Sequence, residues 1–195
     1  FNYDHCFWSH DGYLEEENGY LRPTSDSSPY CDQRFVYNTL GKDLLDNALK
    51  GYNVCIFAYG QTGSGKSYSI FGYQNNKGIV PMLCEELLNG KTLIEDDKHS
   101  YELKIGMIEI YNEKIQDLLA PFEQRQQNKE GLKIRENPQT GVYVEKQTKA
   151  PVRSYADIEK WIEFGNKHKT IAATLMNATS SRAHTVISIE LQQKE

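Results

Sequence analysis

The sequence predicts an α/β fold, a layered sheet with helices on both faces, and three observations carry that expectation. Strand-like and helix-like segments alternate along the chain. A nearly unbroken apolar run, Asn53-Val-Cys-Ile-Phe-Ala-Tyr59, leads directly into Gly60-Gln-Thr-Gly-Ser-Gly-Lys-Ser67, which fits the phosphate-binding pattern G-x-x-x-x-G-K-[ST]. A chain of 195 residues is also long enough to bury a proper core as one domain.

In chain order, residues 1–4 read as the end of a strand, and 9–32 as a polar, acidic surface insertion rich in Gly, Ser and Pro. A helical pattern then runs from Asp32 through Phe35, Val36, Leu40, Leu44, Leu45, Ala48 and Leu49, with Gly51 where a C-terminal glycine cap belongs. The 53–59 run is expected to be a strand covered on both faces, with Cys55 inside it. Beyond the phosphate loop, the helix beginning at Lys66 is expected to break over Gly72 to Gly78 and resume near Pro81 through Leu88. Residues 101–111 read as a strand with Leu103, Ile105 and Met107 on one face and Ile108 and Ile110 on the other, so either both faces are covered or a bulge intervenes. Asn112 to Leu119 is expected to be helical, with Ile115, Leu118 and Leu119 facing the core, and 123–131 to be a Gln-rich linker. Leu132 to Arg135 and Val142 to Val144 read as a hairpin turning at Asn137-Pro-Gln-Thr-Gly141. Ser154 and Asp157 form a capping pair for a helix that uses Ile158, Trp161 and Ile162, and Thr185 to Leu191 alternates as a final strand.

Charge is unevenly spread. Residues 1–33 hold seven acids against Arg22 alone, a net of −6, whereas 124–169 carries ten Lys and Arg against six acids and suits an acidic partner. Cys6, Cys31, Cys55 and Cys84 lie far apart without a C-x-x-C pair, as expected of a reduced, intracellular protein. No apolar stretch approaches the roughly 18 residues that span a bilayer, and no signal peptide opens the chain. The five histidines lack metal-binding spacing such as H-E-x-x-H, no G-x-S-x-G frames a nucleophile, and Asn166-Lys-His-Lys169 lacks the Asp of a guanine-reading motif.

The chemistry of 60–67 follows from its residue types. Gly60, Gly63 and Gly65 let the backbone curl so that N–H groups converge on one anion, with Gln61, Thr62 and Ser64 completing the loop. Lys66 supplies a charge for the β- and γ-phosphates, and Ser67 a hydroxyl for the Mg²⁺ that accompanies a nucleotide. A second polar segment, Asn177-Ala-Thr-Ser-Ser-Arg-Ala-His184, offers adjacent hydroxyls and a cation suited to sensing a γ-phosphate.

Together, the phosphate loop, its lead-in Phe57-Ala-Tyr59, the segment Glu109-Ile-Tyr-Asn-Glu-Lys114 and the 177–184 octet resemble the motor domain of kinesins, across essentially the whole chain. Phe7-Trp8-Ser9, Leu132-Lys-Ile-Arg-Glu136 and Met176-Asn177 are most similar to the kinesin-three subfamily. The resemblance implies a P-loop NTPase sheet, Mg·ATP hydrolysis coupled to movement along microtubules, and a place on the cytoplasmic microtubule cytoskeleton. It further implies that Gly60 to Ser67 hold the phosphates, that Tyr68 lies against the adenine, and that Ser67 and Ser181 serve Mg²⁺. Ser180 would lie near the γ-phosphate, Asn177 would order the closed loop, and Arg182 would pair with a glutamate of a second switch. Lys133, Arg135, Lys146, Lys149 and Arg153 surround the region that touches tubulin in kinesins; no nucleic acid is implied, and cargo would bind through regions elsewhere.

Two departures stand out. Ala178 and Ala183 occupy positions where the family usually has Glu and Ser, and neither an Arg-Pro adenine motif before Phe1 nor a D-x-x-G-x-E switch after Glu195 is read. The expectation is a motor domain truncated at both ends, in which the isolated 195-residue chain shows little or no ATP turnover and no motility. The alternative is a kinesin-like module that holds nucleotide or tubulin without hydrolysis.

Overall fold

The computed structural model describes residues 2–89, 100–128, 130–176 and 183–194. The chain divides into two compact units, residues 1–92 and 93–195.

In the first unit, the acidic stretch is more than a loop. It contains an antiparallel hairpin of β1 (Tyr13–Glu15) and β2 (Leu21–Pro23), closed through Gly19 in a left-handed conformation. The predicted helix follows as α1 (Gln33–Val36), a π-helical turn (Tyr37–Gly41) and α2 (Lys42–Leu49). Asp32 caps its start by accepting the Phe35 N–H at 2.7 Å. At its end, Gly51 donates to the Ala48 carbonyl and Tyr52 to that of Asn47, the paired bonds of a Schellman cap, with Gly51 at φ 87° as the motif demands. In the π turn, a Cβ on residue 41 would lie 2.3 Å from the Tyr37 ring, so only glycine lets that ring fold back over its own helix. Tyr37 is almost fully buried, packs with Ile79 and Met82, and donates its hydroxyl to Glu86 at 2.6 Å.

Helix α3 (Lys66–Ile70) breaks where expected, into a small hairpin of β3 (Gly72–Tyr73) and β4 (Asn76–Lys77), and α4 (Ile79–Asn89) resumes with Pro81 in its first turn, where a missing N–H costs nothing. The 53–59 run, however, is not a strand. Phe57 and Tyr59 are 84% and 96% exposed, Cys55 is exposed, and of the run Ile56 alone packs against the Tyr37 cluster. A strand covered on both faces needs hydrogen-bonding neighbours on both edges, and no described strand pairs with this run. Its apolar composition states how much burial the segment can use and does not supply the partners.

The second unit is built on β5 (Ser100–Tyr111), the central strand of an antiparallel sheet. Along one edge it pairs in continuous register with β10 (His184–Lys194), from Ser100↔Lys194 to Ile110↔His184. Its other edge is shared by β6 (Lys114–Asp117) and β9 (Ala150–Val152). Of the two alternatives for β5, covered faces win: Leu103, Ile105, Met107 and Ile108 are all buried and the register has no bulge.

Two segments differ from expectation. Residues 112–119 are not helical, because Asn112 and Glu113 both take positive φ (49° and 60°) and form a tight turn that folds β6 back onto β5. Ile115, Leu118 and Leu119 are buried as expected, but on a strand and the turn after it. Within the supposed linker, Phe122–Gln127 forms a short helix, α5, since Glu, Gln and Arg favour helix wherever no glycine intervenes.

The hairpin forms, but its first strand lies two residues later than read, as β7 (Ile134–Asn137) paired with β8 (Gly141–Val144), exposed at every position except the half-buried Val144, while Leu132 bridges to Ile115. Helix α6 (Tyr155–Met176) begins at the predicted capping pair. The Asp157 carboxylate accepts the Arg153 and Ser154 N–H groups at 3.0 Å each, while the Asp157 N–H donates to Ser154 Oγ at 3.2 Å. Ile158 is fully buried, and a Cβ on residue 165 would sit 2.3 Å from Met107 Sδ, so Gly165 is what allows α6 to lie directly on β5.

Candidate functional site

Residues 60–65 form an exposed loop whose conformation only glycine tolerates cheaply. Gly60, Gly63 and Gly65 have φ of 155°, 82° and 87°. A Cβ at Gly63 or Gly65 would meet nothing within 4 Å, so those two glycines serve backbone direction and an open approach. At Gly60 a Cβ would be 2.5 Å from Ser64 Oγ, which adds a packing demand. The Ser64 N–H closes onto the Gln61 carbonyl at 3.2 Å, and α3 starts immediately at Lys66, so the N–H groups of its first turn lack intrahelical partners.

Lys66 is half-buried and folded into its own loop, where Nζ donates to the carbonyls of Gly60 at 2.8 Å and Gln61 at 2.6 Å. The ammonium thus already sits within the curl that the glycines create. Ser67 is exposed and follows Lys66 in the first turn of α3. This donor set of loop amides, one ammonium and one hydroxyl fits a phosphate chain with its Mg²⁺: hydroxyl and phosphate oxygens are the hard ligands that ion takes. Tyr68 is half-buried, and its hydroxyl is buried close to that of Tyr30, without a hydrogen bond of good geometry. Burial raises both phenols above their ordinary titration range.

Of the 177–184 octet, Asn177, Ser180, Ser181 and Arg182 lie outside the described residues, as does Ala178. His184 opens β10 opposite Ile110, so the octet ends on the strand beside Glu109 to Lys114. In that neighbourhood Lys169 donates from α6 to Thr185 Oγ1 at 2.7 Å, and the buried Glu109 faces Thr185 in the strand register. Burial raises the Glu109 carboxyl above its usual range, with the Lys169 ammonium pulling the other way. Among the basic residues, Arg135 pairs with Glu145 at 3.1 Å and Lys149 with Glu190. Both pairs are exposed and worth little, about 0–1 kcal/mol, so a partner can exchange them at small cost.

Sequence reasoning missed three residues that hold the loop's surroundings. Gln33, 6% exposed, donates its side-chain amide to the Tyr68 carbonyl. Asn76, 4% exposed, uses both ends of its amide on the acidic hairpin. Tyr30 is buried beside Tyr68. Gln33 and Asn76 bond across 35 and 55 or more residues, which no local pattern reveals.

Comparison with known proteins gives a consistent result. The kinesin motor domain family model matches residues 1–195. Kinesin-like protein KIF28 of Mus musculus is 44% identical over 195 residues, covering 99% of this chain and 18% of that protein. Kinesin-like protein KIF13B of Homo sapiens, a kinesin-3 member, is 44% identical over 191 residues, covering 98% and 10%. Among solved structures, KIF14 in the two-heads-bound dimer state with AMP-PNP on a microtubule superposes with a TM-score of 0.79 at 43% identity. That match covers 99% of this chain and 49% of the other, so the chain spans about half of the solved relative and under a fifth of the other two. Subfamily and family therefore agree with the motifs, and the chain belongs to the kinesin motor domain family.

Proposed function

We propose that this chain is the ATP-binding part of a microtubule-based motor that couples ATP hydrolysis to movement. The observation that carries the reading is the 60–67 loop: left-handed glycines open toward solvent, and Lys66 and Ser67 stand at the start of α3. Lys66 would leave the Gly60 and Gln61 carbonyls for the β- and γ-phosphates, and the loop amides would bind the same oxygens. Ser67 and Ser181 would hold Mg²⁺, which neutralises charge between the phosphates. Ser180 would border the γ-phosphate, Asn177 would help order the closed loop, Arg182 would lock it by an ion pair, and the half-exposed ring of Tyr68 would lie against the base. Hydrolysis by in-line attack of water asks mainly for positioning and charge stabilisation, which such groups provide. The relative seen on a microtubule supports tubulin as partner, with the basic residues near β7 and β8 meeting its acidic surface.

Steady-state ATPase of the full-length protein with and without microtubules tests this. The motor reading predicts turnover stimulated severalfold or more by microtubules. Nucleotide binding without turnover would instead favour the non-hydrolysing module, the reading that Ala178 and Ala183 suit.

A further inference from the structure

The acidic segment 9–32 grips the phosphate-loop helix and the hairpin behind it. Asn76 Oδ1 accepts the Leu21 N–H at 2.8 Å and its Nδ2 donates to the Gly19 carbonyl at 2.8 Å, so one buried amide serves β2 and its turn as a neighbouring strand would. Asn75 adds a bond to the Asn18 carbonyl. At the far end of the segment, Asp32 caps α1 and accepts the Tyr20 hydroxyl at 2.8 Å, and the adjacent Gln33 donates to the Tyr68 carbonyl. Residues 18–33 thus hold residues 68–77 at two separated points.

Little slack separates those points from the loop. A Cβ at Gly72 would be 2.0 Å from the Asn76 carbonyl oxygen, and one at Gly78 would be 2.5 Å from the Ile70 carbonyl carbon, so the β3–β4 hairpin is closed tightly onto the end of α3. Helix α3 is five residues long, and Tyr68, the residue Gln33 holds, directly follows Ser67. A shift of the acidic segment is therefore carried to the ammonium of Lys66 and the hydroxyl of Ser67.

We propose that Asn76 and Gln33 are positioning residues through which segment 9–32 sets the orientation of α3, and with it the rate at which a nucleoside diphosphate leaves the phosphate loop. The proposal rests on that loop being the nucleotide site. In the full-length protein, release of a fluorescent ADP is measured with site stoichiometry determined in parallel. Asn76→Ala and Gln33→Ala are each expected to change the release rate constant about three- to tenfold at unchanged stoichiometry, since each removes buried hydrogen bonds. Asn76→Asp keeps the acceptor for Leu21 and loses the donor to Gly19, so it falls between wild type and Asn76→Ala. Arg22→Ala, which breaks an exposed pair with Glu16 and a long exposed bond to the Pro23 carbonyl, leaves release within about twofold. Release unchanged in both alanine variants, or fewer sites releasing at the normal rate, would overturn the positioning role while leaving the nucleotide site intact. No saturable binding by the unaltered protein would overturn both.

Discussion

Replacing Asp117 tests how the second unit is held together. Its carboxylate is 5% exposed and serves three backbone donors: Oδ1 accepts the N–H groups of Leu119 at 2.9 Å and Ala120 at 3.2 Å, and Oδ2 that of Thr148. One side chain therefore closes the buried turn after β6 and pins the approach to β9. Asp117→Ala leaves three donors without their acceptor, at about 1–3 kcal/mol each, and deprives the nearby Arg125 of an anion. The terms share one site and water can enter it, so the total is expected at about 3–4 kcal/mol rather than the full sum. Asp117→Asn keeps one oxygen but turns an amide donor toward either Thr148 or the Leu119 pair, and is expected to cost about half as much. Hydrogen exchange of the individual amides reads this out: at about 1.4 kcal/mol per tenfold, Asp117→Ala should speed Leu119, Ala120 and Thr148 together by about a hundredfold or more. Acceleration of Leu119 and Ala120 with Thr148 unchanged would refute the single-bracket reasoning, as would an Asn variant that behaves like wild type.

Two pH profiles run in opposite directions. Burial raises the Glu109 carboxyl, so the folded state binds that proton more tightly than the unfolded chain; its contribution is complete below the unfolded value of 4.5 and is lost as pH rises through the folded value. The Tm gain from Glu109→Gln should accordingly be larger at pH 7 than at pH 4, and the reverse order would count against a desolvated carboxylate. Asp157 is held below its ordinary range by the N–H of Arg153 first and by Ser154 next, so its contribution is present above the unfolded value of 3.8 and fades as pH falls through the folded one. Asp157→Asn should therefore cost more Tm at pH 6 than below pH 3, whereas Ser154→Ala should lose about 1 kcal/mol at pH 7, measured by denaturant unfolding.

What the sequence made legible was local chemistry. Gly51, Ser154 with Asp157, and Asn137 to Gly141 announce a cap, a capping box and a turn through residues that touch each other in sequence, and each is found where expected. The backbone conformation of the 60–65 loop is legible for the same reason, since its glycines answer to their own φ angles. Residues 112–119 misled because Ile115, Leu118 and Leu119 satisfy helical spacing, while the deciding feature was the left-handed pair Asn112 and Glu113. The run 53–59 misled in another way: strand formation depends on partners, which composition does not encode. Asn76 and Gln33 were invisible because an amide gives no sign of which distant backbone it will bond.

The most direct test of the nucleotide site is ATP binding by the full-length protein and its Lys66→Ala variant, measured by calorimetry in the presence of Mg²⁺. A charge-assisted contact to phosphate is worth about 1.5–3 kcal/mol, so binding is expected to weaken about ten- to 150-fold in the variant, with its fold intact. Equal affinity in the two proteins would show that the Gly60 to Ser67 loop does not hold the phosphates and would contradict the account.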